Sequence, residues 1–139
     1  MPYRKETLPD GDTKSLRVLC AEDEGPIALL IKQALSRCGH FVECVEDGED
    51  AIARINAQPG FFDLVITDHR MARTTGLFVV RKLRECDFTG RIVVHCSTLG
   101  QMDANAYRKL AVDHIFEKPI QSHDLIRVVA TFVRPSGAK

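Results

Sequence analysis

Apolar positions along the chain fall into two alternating rhythms. Short continuous runs alternate with longer stretches in which apolar residues recur every three or four positions. Leu16–Ala21 (LRVLCA) is the first run and predicts a strand. From Pro26 to Cys38, the residues Ile27, Leu30, Ile31, Ala34 and Leu35 form a helical stripe, with Pro26 suited to the first turn and Gly39 to the stop. The pattern then repeats. His40–Val45 reads as a strand and Gly48–Gln58 as a helix with Ala51, Ile52 and Ile55 inward, closed by Pro59-Gly60. Phe62–Thr67 reads as a strand, and Gly76–Cys86 as a helix facing inward with Leu77, Val80 and Leu83. Gly90–Cys96 is a strand, Met102–Leu110 a weaker helix, Asp113–Glu117 a short strand, and Ser122–Val133 a helix striped by Leu125, Val128, Val129 and Phe132.

Five strand–helix repeats predict an α/β fold, with parallel strands and helices on both faces of one sheet. Near-continuous apolar strands agree, because parallel strands are covered on both sides. In such sheets ligands bind beyond the carboxyl ends of the strands, where the strand order reverses. For five strands ordered 2-1-3-4-5, that place lies between the first and third. Residues 1–15 are polar, with two prolines and a glycine, and are expected to be a flexible tail before a domain over 16–133. Residues 134–139 are expected to be a short C-terminal tail, with no output domain following.

Length and composition narrow the function. A chain of 139 residues that is 45% hydrophobic suits one domain with a real core. Lys plus Arg equals Asp plus Glu at 19 each, so the chain lacks the basic surplus that nucleic-acid binding needs. No apolar run reaches membrane-spanning length, and the N-terminal residues hold no signal-peptide apolar segment. The five cysteines, Cys20, Cys38, Cys44, Cys86 and Cys96, are scattered and never form CxxC, which fits reduced thiols in a cytosol.

Under the predicted fold, several charged residues converge. The first strand runs into Glu22-Asp23-Glu24, the third ends at Asp68, and the fifth runs into Lys118-Pro119. Two carboxylates at close range repel by about 4 kcal/mol in a partly screened site. A cluster of three calls for an oxygen-seeking divalent cation, and magnesium takes carboxylates together with water and phosphate oxygens. Aspartate can be a covalent nucleophile, and a metal with a lysine suits phosphoryl transfer, which depends on positioning and electrostatics.

With AEDE after the first strand, DLVITDHRMARTTG around the third and FEKP after the fifth, the chain resembles the receiver domains of two-component response regulators, from about Leu16 to Val133. The resemblance implies the CheY-like (flavodoxin-like) fold and a signalling domain, rather than an enzyme, that catalyses its own phosphorylation and dephosphorylation. It makes Asp68 the phosphoacceptor and Lys118 the partner of the phosphoryl group. Glu22, Asp23, Asp68 and the backbone carbonyl of Arg70 become the magnesium ligands. The family's hydroxyl at the end of the fourth strand falls by ungapped counting on Cys96. A one-residue bulge would bring Ser97 into that switch slot instead, and a hydroxyl is the better donor to a phosphate oxygen. The family's switch aromatic corresponds to Ile115, so the aromatic form of the switch is missing. Met71 is followed by Ala72 where the family has proline.

The implied partners are a histidine kinase or histidine phosphotransfer protein as donor, and a downstream protein on the face built from the fourth helix, fifth strand and fifth helix. Monomer or weak dimer, no direct nucleic-acid binding, no membrane contact and a cytoplasmic location complete the expectation. Two other readings compete. A degenerate receiver would be a constitutive binding module. An aspartate-nucleophile phosphatase of the haloacid-dehalogenase kind needs a second Asp where Arg70 stands. Plainer roles are expected elsewhere: Glu24 as a solvated helix start, His69 as exposed loop turned away from Asp68, His95 as a satisfied core or rim histidine, Cys20 and Cys96 as small buried hydrophobes, and Arg70, Arg73, Arg81, Lys82 and Arg84 as a solvated helix face, with a docking patch for an acidic partner as the alternative.

Overall fold

A computed structural model describes residues 15–133. The tails expected at 1–15 and 134–139 lie outside the described residues, Ser15 excepted. The elements alternate as expected: β1 (Arg17–Ala21), α1 (Gly25–Arg37), β2 (Phe41–Val45), α2 (Gly48–Ala57), β3 (Leu64–Asp68), α3 (Gly76–Glu85), β4 (Arg91–Cys96), α4 (Gln101–Lys109), β5 (His114–Glu117) and α5 (Ser122–Ala130). All four strand pairings are parallel and the sheet order is β2-β1-β3-β4-β5.

Side chains alternate across the sheet, so each strand feeds two cores. Val18, Cys20, Leu64, Ile66 and Val93 pack with Ile31, Leu35, Leu125 and Val129 beneath α1 and α5. Leu19, Val65, Ile92 and Val94 pack with Ala51, Ile55, Val80, Leu83 and Tyr107 beneath α2, α3 and α4. Every residue of β3 is buried, which explains its unbroken apolar run up to Thr67.

Helix starts follow side-chain chemistry. Asp47 caps α2 by accepting from the Asp50 N–H at 2.9 Å, and Thr75 caps α3 by accepting from the Phe78 N–H at 3.2 Å. Gly39, at φ 92°, takes the left-handed conformation that ends α1. The last helix is shorter than its apolar stripe implies. It stops at Ala130, and the Thr131 hydroxyl bonds back to the Val128 carbonyl at 2.6 Å. Phe132 and Val133 still pack against the core beyond the helix end.

The two ends of the sheet use acids differently. At the amino ends of the strands, Asp63 accepts from the Arg17 N–H at 2.8 Å, and Asp113 accepts from the Ile92 N–H at 2.8 Å. Both also pair with arginines, Arg17 at 3.6 Å and Arg91 at 3.0 Å. These acids terminate the sheet. The acids at the carboxyl ends are arranged otherwise.

Candidate functional site: a carboxylate pocket at the strand ends

Asp68, the last residue of β3, is 2% exposed. Its Oδ2 accepts from Lys118 Nζ at 3.0 Å, and its Oδ1 accepts from the Arg70 N–H at 3.3 Å. Lys118 is set by its own backbone, whose N–H donates to the Cys96 carbonyl at 2.7 Å. Its Nζ lies 3.9 Å from Glu22 Oε1. Glu22 follows β1 and is also 2% exposed, and its Oε2 accepts from the Glu24 N–H at 3.0 Å. Glu24 is exposed at the start of α1, as expected. Asp23 is exposed, and its Oδ2 accepts from the Ala72 N–H at 2.9 Å, tying β1 to the loop after β3. Glu22, Asp68 and Lys118 therefore meet directly, and Asp23 sits at the rim against that loop.

One member of the pocket departs from the sequence expectation. His95 was expected to be a satisfied histidine. It is wholly buried, and neither ring nitrogen has a hydrogen-bond partner among the described residues. Its Nε2 lies 3.3 Å from Glu22 Oε1, which likewise has no hydrogen-bond partner among the described residues, although Lys118 stands 3.9 Å from it. Ligand atoms of Glu22, Asp68 and His95 all lie within 4.8 Å of one another. Register puts it there: His95 stands opposite Asp68 in the β3–β4 ladder, and the parity that sends Val93 to the α1–α5 side sends His95 the same way.

His69 also departs from expectation. It is buried rather than exposed, because the chain bends back after β3 and carries the ring under α4. Its Nδ1 lies 2.6 Å from the Tyr107 hydroxyl, and its Nε2 lies 3.2 Å from Asp103 Oδ2. The basic cluster is partly tied down. Arg73 pairs with Asp47, and Arg84 donates to the carbonyls of Leu110 at 2.8 Å and Ala111 at 3.0 Å. Arg70, Arg81 and Lys82 are not drawn into the pocket: Arg70 and Arg81 are exposed, and Lys82 pairs with Glu85 at 3.5 Å.

At the switch slot, β4 and β5 pair in unbroken register from Val93–His114 to Cys96–Glu117. The bulge that would place Ser97 inside the strand is absent. Cys96 ends β4, buried, with Sγ directed to the Phe116 carbonyl at 3.7 Å, and Ser97 follows as an exposed residue. Ile115 is half-buried and packs with the α2–α4 core.

The electrostatics follow burial and pairing. Burial pushes the Glu22 carboxyl up to about 8, with the Asp68 charge adding to the shift and the Glu24 N–H opposing it. Burial pushes the His95 imidazole down to about 4. Burial disfavours the Lys118 charge, but the hydrogen bond to Asp68 and the charges of Asp68 and Glu22 outweigh it and raise the lysine. Burial thus disfavours charge on both Glu22 and His95, while pairing with the acids favours it on Lys118. Buried carboxylate oxygens, one of them on Glu22 without a hydrogen-bond partner, suit an oxygen-seeking divalent cation.

The sequence model of the response regulator receiver domain matches residues 18–130. The chain belongs to this family. It is 30% identical over 121 residues to the two-component response regulator ORR41 of Oryza sativa subsp. japonica, covering 86% of this chain and 95% of that protein. It is 28% identical over 122 residues to the transcriptional regulatory protein DltR of Streptococcus agalactiae, covering 88% of this chain. The match covers 54% of DltR, so the receiver spans about half the length of that relative. Among solved structures, the signal receiver domain of a LuxO repressor protein from Vibrio parahaemolyticus superposes with a TM-score of 0.77 at 25% identity, covering 85% of this chain and 89% of that one. The chemotaxis protein CheY4 of Vibrio cholerae superposes with a TM-score of 0.76 at 20% identity, covering 85% and 98%, and shares the fold. The protein is thus a receiver domain of two-component signal transduction with a CheY-like fold, and no helix among the described residues is long and apolar enough to cross a membrane.

Proposed function

We propose that this receiver accepts a phosphoryl group on Asp68 from a phosphohistidine donor, a histidine kinase or a histidine phosphotransfer protein. The observation that carries the reading is the 3.0 Å contact between Lys118 Nζ and the Asp68 carboxylate, inside a pocket that also buries Glu22. An Asp68 oxygen attacks phosphorus, the P–N bond to the donor imidazole breaks, and the nitrogen leaves with the bond electrons and takes up a proton. Lys118 offsets charge on the phosphoryl oxygens in transit. Glu22, Asp23, Asp68 and the Arg70 carbonyl are the residues that would hold magnesium, whose charge would neutralise the crowded carboxylates and orient phosphoryl oxygens. Hydrolysis of the acyl phosphate by water returns the domain to its starting state.

For the switch we assign Ser97. Cys96 Sγ is engaged with β5, whereas the Ser97 hydroxyl lies exposed just past the strand end, so it is the donor able to approach a new phosphate. Cys96 is the alternative. Ile115 is the neighbouring position that repacks, and a downstream protein reads the α4-β5-α5 face. Among the described residues the large hydrophobics exposed to solvent are Leu29 and Met102, too little apolar surface for an obligate dimer, which supports a monomer or weak dimer. The free cysteines suit a cytoplasmic setting.

Intact mass after incubation with acetyl phosphate and magnesium tests the reading. The wild type gains one phosphoryl group. Asp68→Asn, which keeps the side-chain shape, gains none and unfolds at a similar temperature. Labelling that persists in Asp68→Asn would refute Asp68 as acceptor. Magnesium that fails to bind would favour the constitutive binding module.

A further inference from the structure

Cys20 of β1 and Cys44 of β2 are direct partners in the parallel register. Side chains alternate along a strand, so register partners stand on the same face of the sheet. Both pack in the core beneath α1 and α5, Cys20 wholly buried and Cys44 half-buried. Cys44 Sγ lies 3.9 Å from the Ala28 carbonyl oxygen of α1. Neighbouring strands run about 4.8 Å apart, inside the roughly 4.4–6.8 Å between Cα atoms that a disulfide spans. Among the described residues the register brings no other cysteines together: Cys38 and Cys86 cap helices, and Cys96 stands opposite Glu117. The two thiols also differ. A hydrogen bond from Cys20 brings the Cys44 thiol down to about 7, with burial opposing and the Lys32 charge assisting. A solvent-reachable thiol that ionises readily, beside a buried one, suits an attacking and a resolving cysteine.

We infer that Cys20 and Cys44 form a redox-active pair, a modification site at which hydrogen peroxide forms a reversible cross-strand disulfide. The Cys44 thiolate sulfur attacks one peroxide oxygen, the O–O bond breaks, and hydroxide leaves and takes up a proton as water. Cys44 is then a sulfenic acid. The Cys20 sulfur attacks the Cys44 sulfur, the S–O bond breaks, and the departing hydroxide takes the Cys20 proton as a second water. Together the two sulfurs lose two electrons, which peroxide gains. Cys20 needs no path to solvent, because its target is the side chain beside it. The Cβ atoms of a relaxed disulfide stand about 3.8 Å apart, closer than the strand spacing, so the link carries strain. Strained links are the reducible ones, which makes this one open to a small thiol reductant.

The inference does not rest on the acceptor role of Asp68. The test is a mass map of the full chain, reduced, treated with hydrogen peroxide under native conditions, alkylated after denaturation and digested with trypsin without reductant. The Cys20 and Cys44 peptides should appear joined, lighter than their sum by two hydrogens, and should separate on adding dithiothreitol. Fragmentation assigns Cys44 rather than Cys38, since both lie between Arg37 and Arg54. The same treatment in urea should replace the joined pair with mixed links among the five cysteines, because the register is then lost. In Cys20→Ser a dimedone adduct should collect on Cys44, whose sulfenic acid has lost its resolving partner. In Cys44→Ser, Cys20 should stay alkylatable. A wild type in which Cys20 remains alkylatable while Cys38 and Cys86 oxidise would overturn the pair. So would a Cys20–Cys44 link that forms equally well in urea. Asp68→Asn should form the link as the wild type does, so failure of the pair and failure of the acceptor are read separately.

Discussion

Single residues of one chemical type carry different functions here according to the strand end they occupy. Asp63 and Asp113 stand at amino ends, each accepting from a backbone N–H and pairing with an arginine. Asp68 stands at a carboxyl end with a lysine and a second buried acid. The sequence distinguishes these classes, because strand direction follows from the β-α alternation. It did not reveal where His95 points. Inside an apolar run a histidine looks like filler, and only its register opposite Asp68 and the parity of β4 turn it toward the acids. His69 failed for another reason: its partners, Tyr107 and Asp103, are more than thirty positions away, and no local pattern announces them. His40 offers a check on buried imidazoles outside the pocket. Burial lowers it from the ordinary 6.5, and its Nδ1 accepts from the Leu16 N–H at 3.0 Å. A depressed histidine contributes fully above its unfolded value and loses that contribution as pH falls toward its folded value. Denaturant titrations should therefore show the wild type losing stability relative to His40→Asn as pH drops below 6.5, with a constant difference above it.

At the level of elements, all ten were legible, and their bounds shifted only by a few residues. The largest shift is at α5, where the apolar stripe continues through Phe132 although the helix ends at Ala130, since packing does not require helical backbone. Periodicity could not foresee how tightly the elements approach. A Cβ on Gly76 would stand 2.6 Å from the Tyr107 hydroxyl and 2.7 Å from the Asp68 carbonyl oxygen. That glycine lets α3 start directly beneath the loop that carries His69. Gly76→Ala should cost about 1–3 kcal/mol in urea unfolding, the range for inserting a methyl into a packed site. An unchanged midpoint would show that α3 and α4 can separate at no cost.

For the whole molecule, two cores on one sheet leave the cysteines in graded positions. Cys38 and Cys86 are exposed, Cys44 is half-buried, and Cys20 and Cys96 are buried. A thiol reagent followed by intact mass should add two labels quickly, a third more slowly, and the last two only as the domain unfolds. Prompt addition of all five would mean that the sheet opens readily under native conditions. Overall topology was predictable because right-handed β-α alternation leaves few alternatives.

The pocket's dispersal along the chain also gives it a history. Glu22, Asp68, His95 and Lys118 are made in that order, and the cation is last. While the protein is being synthesised, its acids exist for some fifty residues of elongation after Asp68 without the ammonium that will neutralise them. Until Lys118 is added and β5 pairs with β4, the buried Glu22 and Asp68 lack their ammonium partner, so the fifth strand completes the pocket's charge balance as well as the sheet.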